Sequence, residues 1–199
     1  MPANKSAKRI CVFCGSSLGV RAGYREAAEA TGRVLASRGI GVVFGGSHLG
    51  LMGAVAQAAM DAGGEVIGVI PEALVAKEVA YTKLADLRVV GSMHERKALM
   101  AELADGFIAL PGGFGTFEEF CEILTWAQLG FHGKPCGLLN VEGYYDSLLG
   151  MFDHAVREGF VRAAHREMVL CEREPGALVE RMLAFEAPRA EKWIGREET

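Results

Sequence analysis

The sequence predicts a doubly wound α/β fold, a single parallel sheet with helices on both faces, and two observations carry that reading. Short runs that are apolar throughout recur along the chain, as strands buried on both faces require. Between them lie segments whose apolar residues return at helical spacing. Regular alternation of the two patterns is the mark of consecutive βα units on one sheet. The 199 residues suit one domain of ordinary size, expected over residues 9–186 with flexible tails at 1–8 and 187–199.

In chain order, the apolar run Ile10 to Phe13 reads as the first strand, followed by a helix over 24–38. Gly41 to Phe44 is the second strand, with a helical pattern at 51–62 after it. Glu65 to Ile70 and Leu87 to Val90 read as the third and fourth strands. A helix is expected over 93–104, opened by Ser92 and Glu95 at capping-box spacing, which gives Glu95 a structural role. Gly106 to Leu110 is the fifth strand and 117–129 its helix. Strands at 135–139 and 168–170 and helices at 144–158 and 177–184 complete the pattern. In the charged stretch after Pro188, Trp193 and Ile194 are apolar enough to dock on the domain.

Composition narrows the function classes. Half of the residues are hydrophobic and the net charge is −4, with no Lys/Arg block, so a nucleic-acid surface is not expected. No signal peptide and no apolar stretch of membrane-spanning length is read, so the expected location is cytoplasmic with no membrane partner. Cys11, Cys14, Cys121, Cys136 and Cys171 are odd in number and scattered, which argues against a disulfide framework. Cys11 and Cys14 have redox-motif spacing, but three positions apart on a strand they face opposite ways. His132, His154 and His165 read as surface residues without metal spacing, and no metal or cofactor is expected.

The chemistry concentrates in the loops after strands, which a parallel sheet gathers on one rim. The segment Leu110-Pro111-Gly112-Gly113-Phe114-Gly115-Thr116-Phe117-Glu118-Glu119 is the most informative. Its glycines remove the Cβ atoms that would hold a ligand off the backbone. Thr116 is read as the cap of the following helix, whose free N–H groups and dipole make an anion cradle suited to phosphate. Glu119 adds a carboxylate beside it. Gly15 and Ser16 follow the first strand, and Gly45, Gly46 and Ser47 follow the second. Met93, Arg96 and Lys97 follow the fourth, Arg96 and Lys97 pointing about 100° apart on a helix, so that one of them, Arg96, is favoured to reach ligand. Two cradles and two cations on one rim fit a nucleotide monophosphate or a similar phosphorylated ligand. A dinucleotide is excluded in detail, because the first loop lacks the G-x-G-x-x-G pattern and the second strand ends in Gly45-Gly46 rather than an acid. The phosphate-binding loop of ATPases is absent as well.

Three blocks, Phe44-Gly45-Gly46 through Gly50-Leu51-Met52-Gly53, Met93-His94-Glu95-Arg96-Lys97, and Pro111 through Glu119, together resemble the Lonely Guy family. Its members are cytokinin riboside 5'-monophosphate phosphoribohydrolases, long mislabelled lysine decarboxylases. The resemblance runs from about Ile10 to Ala184, with Ser47 standing where the family often has a third glycine. It implies hydrolysis of the N-glycosidic bond of a nucleoside 5'-monophosphate to free base and ribose 5-phosphate. Arg96 and Glu119 are then catalytic. Gly15, Ser16, Gly45, Gly46, Ser47, Met93, Arg96, Lys97, Gly112, Gly113, Gly115 and Thr116 are the substrate-binding candidates. A homodimer is implied too, with helix 117–129 as a plausible interface whose apolar face equally suits the core.

Plainer readings stand beside these. Thr116 and Glu119 also have capping-box spacing, and Arg96 and Lys97 also suit a solvated helix face. The decarboxylase label needs a Schiff-base lysine for pyridoxal phosphate, and Lys97 alone lies on the rim, inside a motif with another explanation. Two further alternatives are a broader AMP or pyrimidine nucleotide nucleosidase and a non-catalytic carrier resembling the molybdenum-cofactor carriers. A carrier keeps the cradles but does not need both Arg96 and Glu119.

Overall fold

The computed structural model describes residues 8–77 and 79–187. The readings made for the tails, including Trp193 and Ile194, therefore fall almost wholly outside the described residues. The strands are β1 Arg9–Phe13, β2 Gly41–Phe44, β3 Val66–Pro71, β4 Asp86–Val90, β5 Gly106–Ala109, β6 Cys136–Leu139 and β7 Val169–Glu172. They form one seven-stranded sheet in the order β4-β3-β2-β1-β5-β6-β7, with every pairing parallel. This is the doubly wound fold that the alternating pattern predicts.

The helices are α1 Ala22–Ser37, α2 Gly50–Asp61, α3 Glu72–Val75, α4 Met93–Leu103, α5 Phe114–Gln128, α6 Asp146–Arg157, α7 Ala163–Arg166 and α8 Pro175–Leu183, with a 3₁₀ turn at Val141–Gly143. The short α3 and α7 were not expected, since four residues are too few to display a helical period.

Strand side chains alternate between two cores. Ile10, Val12, Val42, Phe44 and Ile108 pack against Leu35, Leu51, Val55 and Leu178 on the α1, α2 and α8 face. Cys11, Phe13, Val43, Val69 and Phe107 pack against Met100, Phe120, Ile123 and Tyr145 on the α4 and α5 face. Cys11 and Cys14 thus belong to opposite cores, both as free thiols, as strand geometry requires.

The chain steps outward from β1 to the edge at β4, then returns through α4, which packs on β1, β2, β3 and β4, to lay β5 on the other side of β1. The strand order reverses between β1 and β5, and the crevice of such a sheet opens at the carboxyl ends of those strands. The loops there are tied together: Gly15 N–H donates to the Pro111 carbonyl at 3.0 Å, and Leu51 N–H to the Gly15 carbonyl at 3.0 Å.

Candidate active site

At the reversal lies a cavity of about 270 Å³, lined among others by Gly15, Ser16, Gly45, Met52, Arg96, Gly113, Phe114, Gly115, Thr116 and Glu119. The residues come from the loops after β1, β2 and β5 and from the N-terminal parts of α2, α4 and α5, so the topology, not local sequence, assembles them.

α4 delivers Arg96. Ser92 caps the helix by accepting the Glu95 N–H at 3.1 Å, while the Glu95 carboxylate accepts the Gly91 N–H at 2.8 Å. Glu95 is thereby structural, as its spacing predicts. The Arg96 side chain turns inward, donating from Nε to the Val69 carbonyl at 3.2 Å and approaching Met93 Sδ from Nη1 at 3.8 Å. Its passage depends on Gly45, because a Cβ built there would lie 2.0 Å from Arg96 Nη2.

α5 delivers Glu119, and here one expectation is corrected. The helix starts at Phe114 with Gly113 as its cap, three residues before the predicted start. Thr116 is therefore inside the first turn and buried, not the cap, and the capping-box reading of Thr116 and Glu119 falls with it. The reason is that Gly113, extended at φ −95°, already accepts the Phe117 N–H at 3.1 Å and closes the first turn. The free amides at the mouth of the helix thus belong to Gly113, Phe114 and Gly115. A Cβ at Gly113 or Gly115 would meet nothing within 4 Å, so both backbones face open space beside the cavity. That is the condition for a ligand to approach the chain closely.

Arg96 Nη1 stands 3.5 Å from Glu119 Oε1, with both side chains 10% exposed. Burial pushes the Glu119 carboxyl above its ordinary value, and Arg96 offsets this only in part. Cys14, on the cavity wall, is a thiol whose pKa burial likewise raises, so it stays protonated and unreactive.

The family described as possible lysine decarboxylase has a model that matches residues 52–182. A probable cytokinin riboside 5'-monophosphate phosphoribohydrolase of Oryza sativa subsp. japonica is 53% identical over 175 residues, covering 88% of this chain and 77% of that protein. A cytokinin riboside 5'-monophosphate phosphoribohydrolase of Arabidopsis thaliana is 48% identical over 192 residues, covering 96% of this chain and 90% of that protein. The chain belongs to the Lonely Guy family. Among solved structures, the molybdenum cofactor binding protein of Rippkaea orientalis superposes with a TM-score of 0.70 over 90% of this chain and 98% of that one. At 22% identity it shares the fold.

The Lonely Guy motifs divide into residues on the cavity and residues behind it. Gly15, Ser16, Gly45, Arg96, Gly113, Gly115, Thr116 and Glu119 line it. Gly112 stands behind the wall, where a Cβ would fall 2.1 Å from Thr116 Oγ1. Gly46, at φ +70°, and Ser47 face the segment before β4: Tyr81 N–H donates to the Gly46 carbonyl at 2.8 Å, and Ser47 pairs with Ala80. The Ser47 hydroxyl accepts the Leu49 N–H at 3.2 Å, a local turn contact. Lys97 leans away from Arg96 and bridges Glu118 at 2.6 Å and Glu122 at 3.0 Å, which clamps α4 to α5. Met93 touches the site through Arg96.

Six wall residues were not among the candidates: Val12, Phe13, Cys14, Met52, Met100 and Phe114. Phe114 lies inside the quoted motif, and its 92% exposure is visible only once α5 is seen to begin there. His132, expected at the surface, is half-buried, its ring tilted against Phe107 at 5.4 Å and bonded to the Ile123 carbonyl at 3.0 Å. An apolar strand beneath it supplies the cover that its sequence neighbours do not.

Proposed function

We propose that the protein hydrolyses the N-glycosidic bond of cytokinin riboside 5'-monophosphates, giving free base and ribose 5-phosphate. The observation that carries this is the buried Arg96–Glu119 pair set against an open backbone cradle, in a chain about half identical to proteins so named. The 5'-phosphate sits on the amides of Gly113, Phe114 and Gly115, at the positive end of α5. That anchor holds the ribose over Glu119, converting remote binding energy into orientation.

Glycosidic cleavage develops positive charge on the sugar ring. The Glu119 carboxylate stabilises that charge and accepts a proton from the attacking water, whose oxygen bonds to C1' as the base departs. Arg96 orients Glu119 and favours its ionised form. Lys97 does not fit a Schiff-base lysine: burial pulls its ammonium down, but the hydrogen bonds to Glu118 and Glu122 outweigh burial and hold it charged.

The assembly is a homodimer in this reading. Support comes from α6, on which no residue is buried and Met151 is exposed, and from Phe160, exposed just after it. Sedimentation of the pure protein as a 21.3 kDa species alone would refute the dimer. No helix among the described residues is long and apolar enough to cross a membrane, and a cytoplasmic location fits that.

The test is release of base from AMP and from isopentenyladenosine monophosphate, with wild type beside Glu119→Ala. Wild type is expected to release base and ribose 5-phosphate, and the variant to lose at least about a hundredfold in rate, the scale of a general base. The ratio between substrates separates a cytokinin enzyme from a broader nucleosidase. Binding of nucleotide without release of base would move the protein to the carrier class.

A further inference from the structure

Three consecutive carbonyls of the turn after β5 are each held by a donor from elsewhere in the fold. The Leu110 carbonyl accepts the Tyr145 hydroxyl at 2.6 Å, the Pro111 carbonyl accepts Gly15 N–H at 3.0 Å, and the Gly112 carbonyl accepts the Tyr144 hydroxyl. The two tyrosines come from the link between the 3₁₀ turn and α6, more than thirty residues downstream. Their rings are locked in one aromatic cluster: Tyr144 lies edge-on to Tyr24 and Tyr145 and stacks at 6.4 Å on Phe117.

A trans peptide is planar, so its C=O and the next residue's N–H point in opposite directions. No cis peptide occurs among the described residues. Pulling the Gly112 carbonyl toward Tyr144 therefore aims the Gly113 N–H the other way, and Gly113 is the cap of α5 and part of the cavity wall. We propose that Tyr144 is a positioning residue, whose hydroxyl sets the Gly113 N–H for the phosphate of the substrate.

This rests on the phosphate-cradle reading given above. Tyr145 supplies an internal control. Its hydroxyl holds the carbonyl before Pro111, and proline has no N–H to aim. Two hydrogen bonds of the same kind, two residues apart on one turn, thus have different consequences. The Tyr144 bond sets a ligand-facing donor, whereas the Tyr145 bond supports the fold.

The test compares Tyr144→Phe and Tyr145→Phe, both of which keep the ring, in Tm, in KM and kcat for AMP, and in inhibition by inorganic phosphate. For Tyr144→Phe, KM and the phosphate inhibition constant are expected to rise about fivefold, the scale of one hydrogen bond, with kcat nearly unchanged. For Tyr145→Phe, Tm is expected to fall while phosphate inhibition stays within about twofold of wild type, because its loss leaves only a buried carbonyl unpaired. Unchanged phosphate inhibition in Tyr144→Phe overturns the proposal, and that arm decides alone if Tyr145→Phe does not fold. Equal losses in the two variants overturn it as well, since they would reflect a loosened turn. Wild type that neither turns over AMP nor binds it or phosphate refutes the cradle reading, and this inference with it.

Discussion

Gly45→Ala tests the site at its narrowest point. The added methyl would lie 2.0 Å from Arg96 Nη2 and 3.0 Å from Met52 Sδ, where ordinary contact begins at 3.4 Å. Met52 is flexible and can yield a few tenths of an ångström. The guanidinium has to retreat by about 1.4 Å to regain van der Waals contact. That retreat competes with the bond from Nε to the Val69 carbonyl and with the 3.5 Å approach to Glu119. A misplacement of about 1 Å in a catalytic constellation costs roughly a hundredfold in rate, or about 2.7 kcal/mol of activation free energy. Overpacking adds a stability loss of about 1–3 kcal/mol. The assay is base release under kcat/KM conditions, run with Gly45→Ala, Arg96→Ala and the double variant. Because the severe contact is with Arg96 and Met52 yields readily, Gly45→Ala is expected to cost much less in the Arg96→Ala background than in wild type. Activity within about threefold of wild type in the single variant, with Arg96→Ala impaired, would refute the reasoning. So would full additivity in the double variant.

Two other expectations follow from the same geometry. Gly115→Ala places its methyl in open space inside a helix, so Tm should hold or rise, by up to about 1 kcal/mol of helix propensity, while KM for the nucleotide rises because the methyl occupies the ligand's side of the cradle; a variant with lower Tm and unchanged KM would reverse the assignment of that face. The pH profile should carry an acid limb from Glu119. Its carboxyl is raised above the ordinary 4.5 by burial and works as the ion, so activity must fall as pH drops through that raised value, and the kcat/KM limb should lie above the ordinary carboxylate range. A limb at the ordinary value, or one that persists in Glu119→Gln, would assign the titration to another group.

The sheet was legible because a strand buried on both faces writes itself as an apolar run, as the inner strands β1, β2, β3, β5 and β6 do, while the edge strand β4 carries Asp86 and Arg88 and was legible from Leu87, Val89 and Val90 alone. The site was legible in its residue types and less so in their placement. Gly113 and Gly115 look like loop, yet α5 begins between them, because the geometry of a cap is decided by which carbonyl accepts the Phe117 N–H. Lys97 reads as a rim cation beside Arg96, and its partners Glu118 and Glu122 lie on another helix, where only the packing of α4 on α5 brings them into range. Gly46 and Ser47 read as cradle residues from the glycine-rich turn after β2, and only the fold shows that they also pair with the segment before β4. Tyr144 carries no local signal at all, since its partner Gly112 is 32 residues away.

The Arg96–Glu119 pair is a poor device for holding the protein together, and its setting explains what else it is for. Two ions removed from water lose hydration that mutual attraction repays only with close, fully hydrogen-bonded geometry. At 3.5 Å, Nη1 and Oε1 stand farther apart than a tight arginine–carboxylate fork. The net upward shift of Glu119 says the same: burial costs its ionised form more than Arg96 returns. The carboxylate also lies a full turn beyond the cap of α5, past the free amides that would have satisfied it. Arg96 leaves such a charge short of full stabilisation, and a second cation beside it would supply more. In the reaction proposed above, a sugar ring passing through an oxocarbenium-like state would be such a cation, supplied only in the transition state, and the interaction would then favour the reaction step over substrate binding. Tyr145, Phe120 and Phe107, fully buried in the core on the same face of the sheet, are the kind of packing that can offset such a cost.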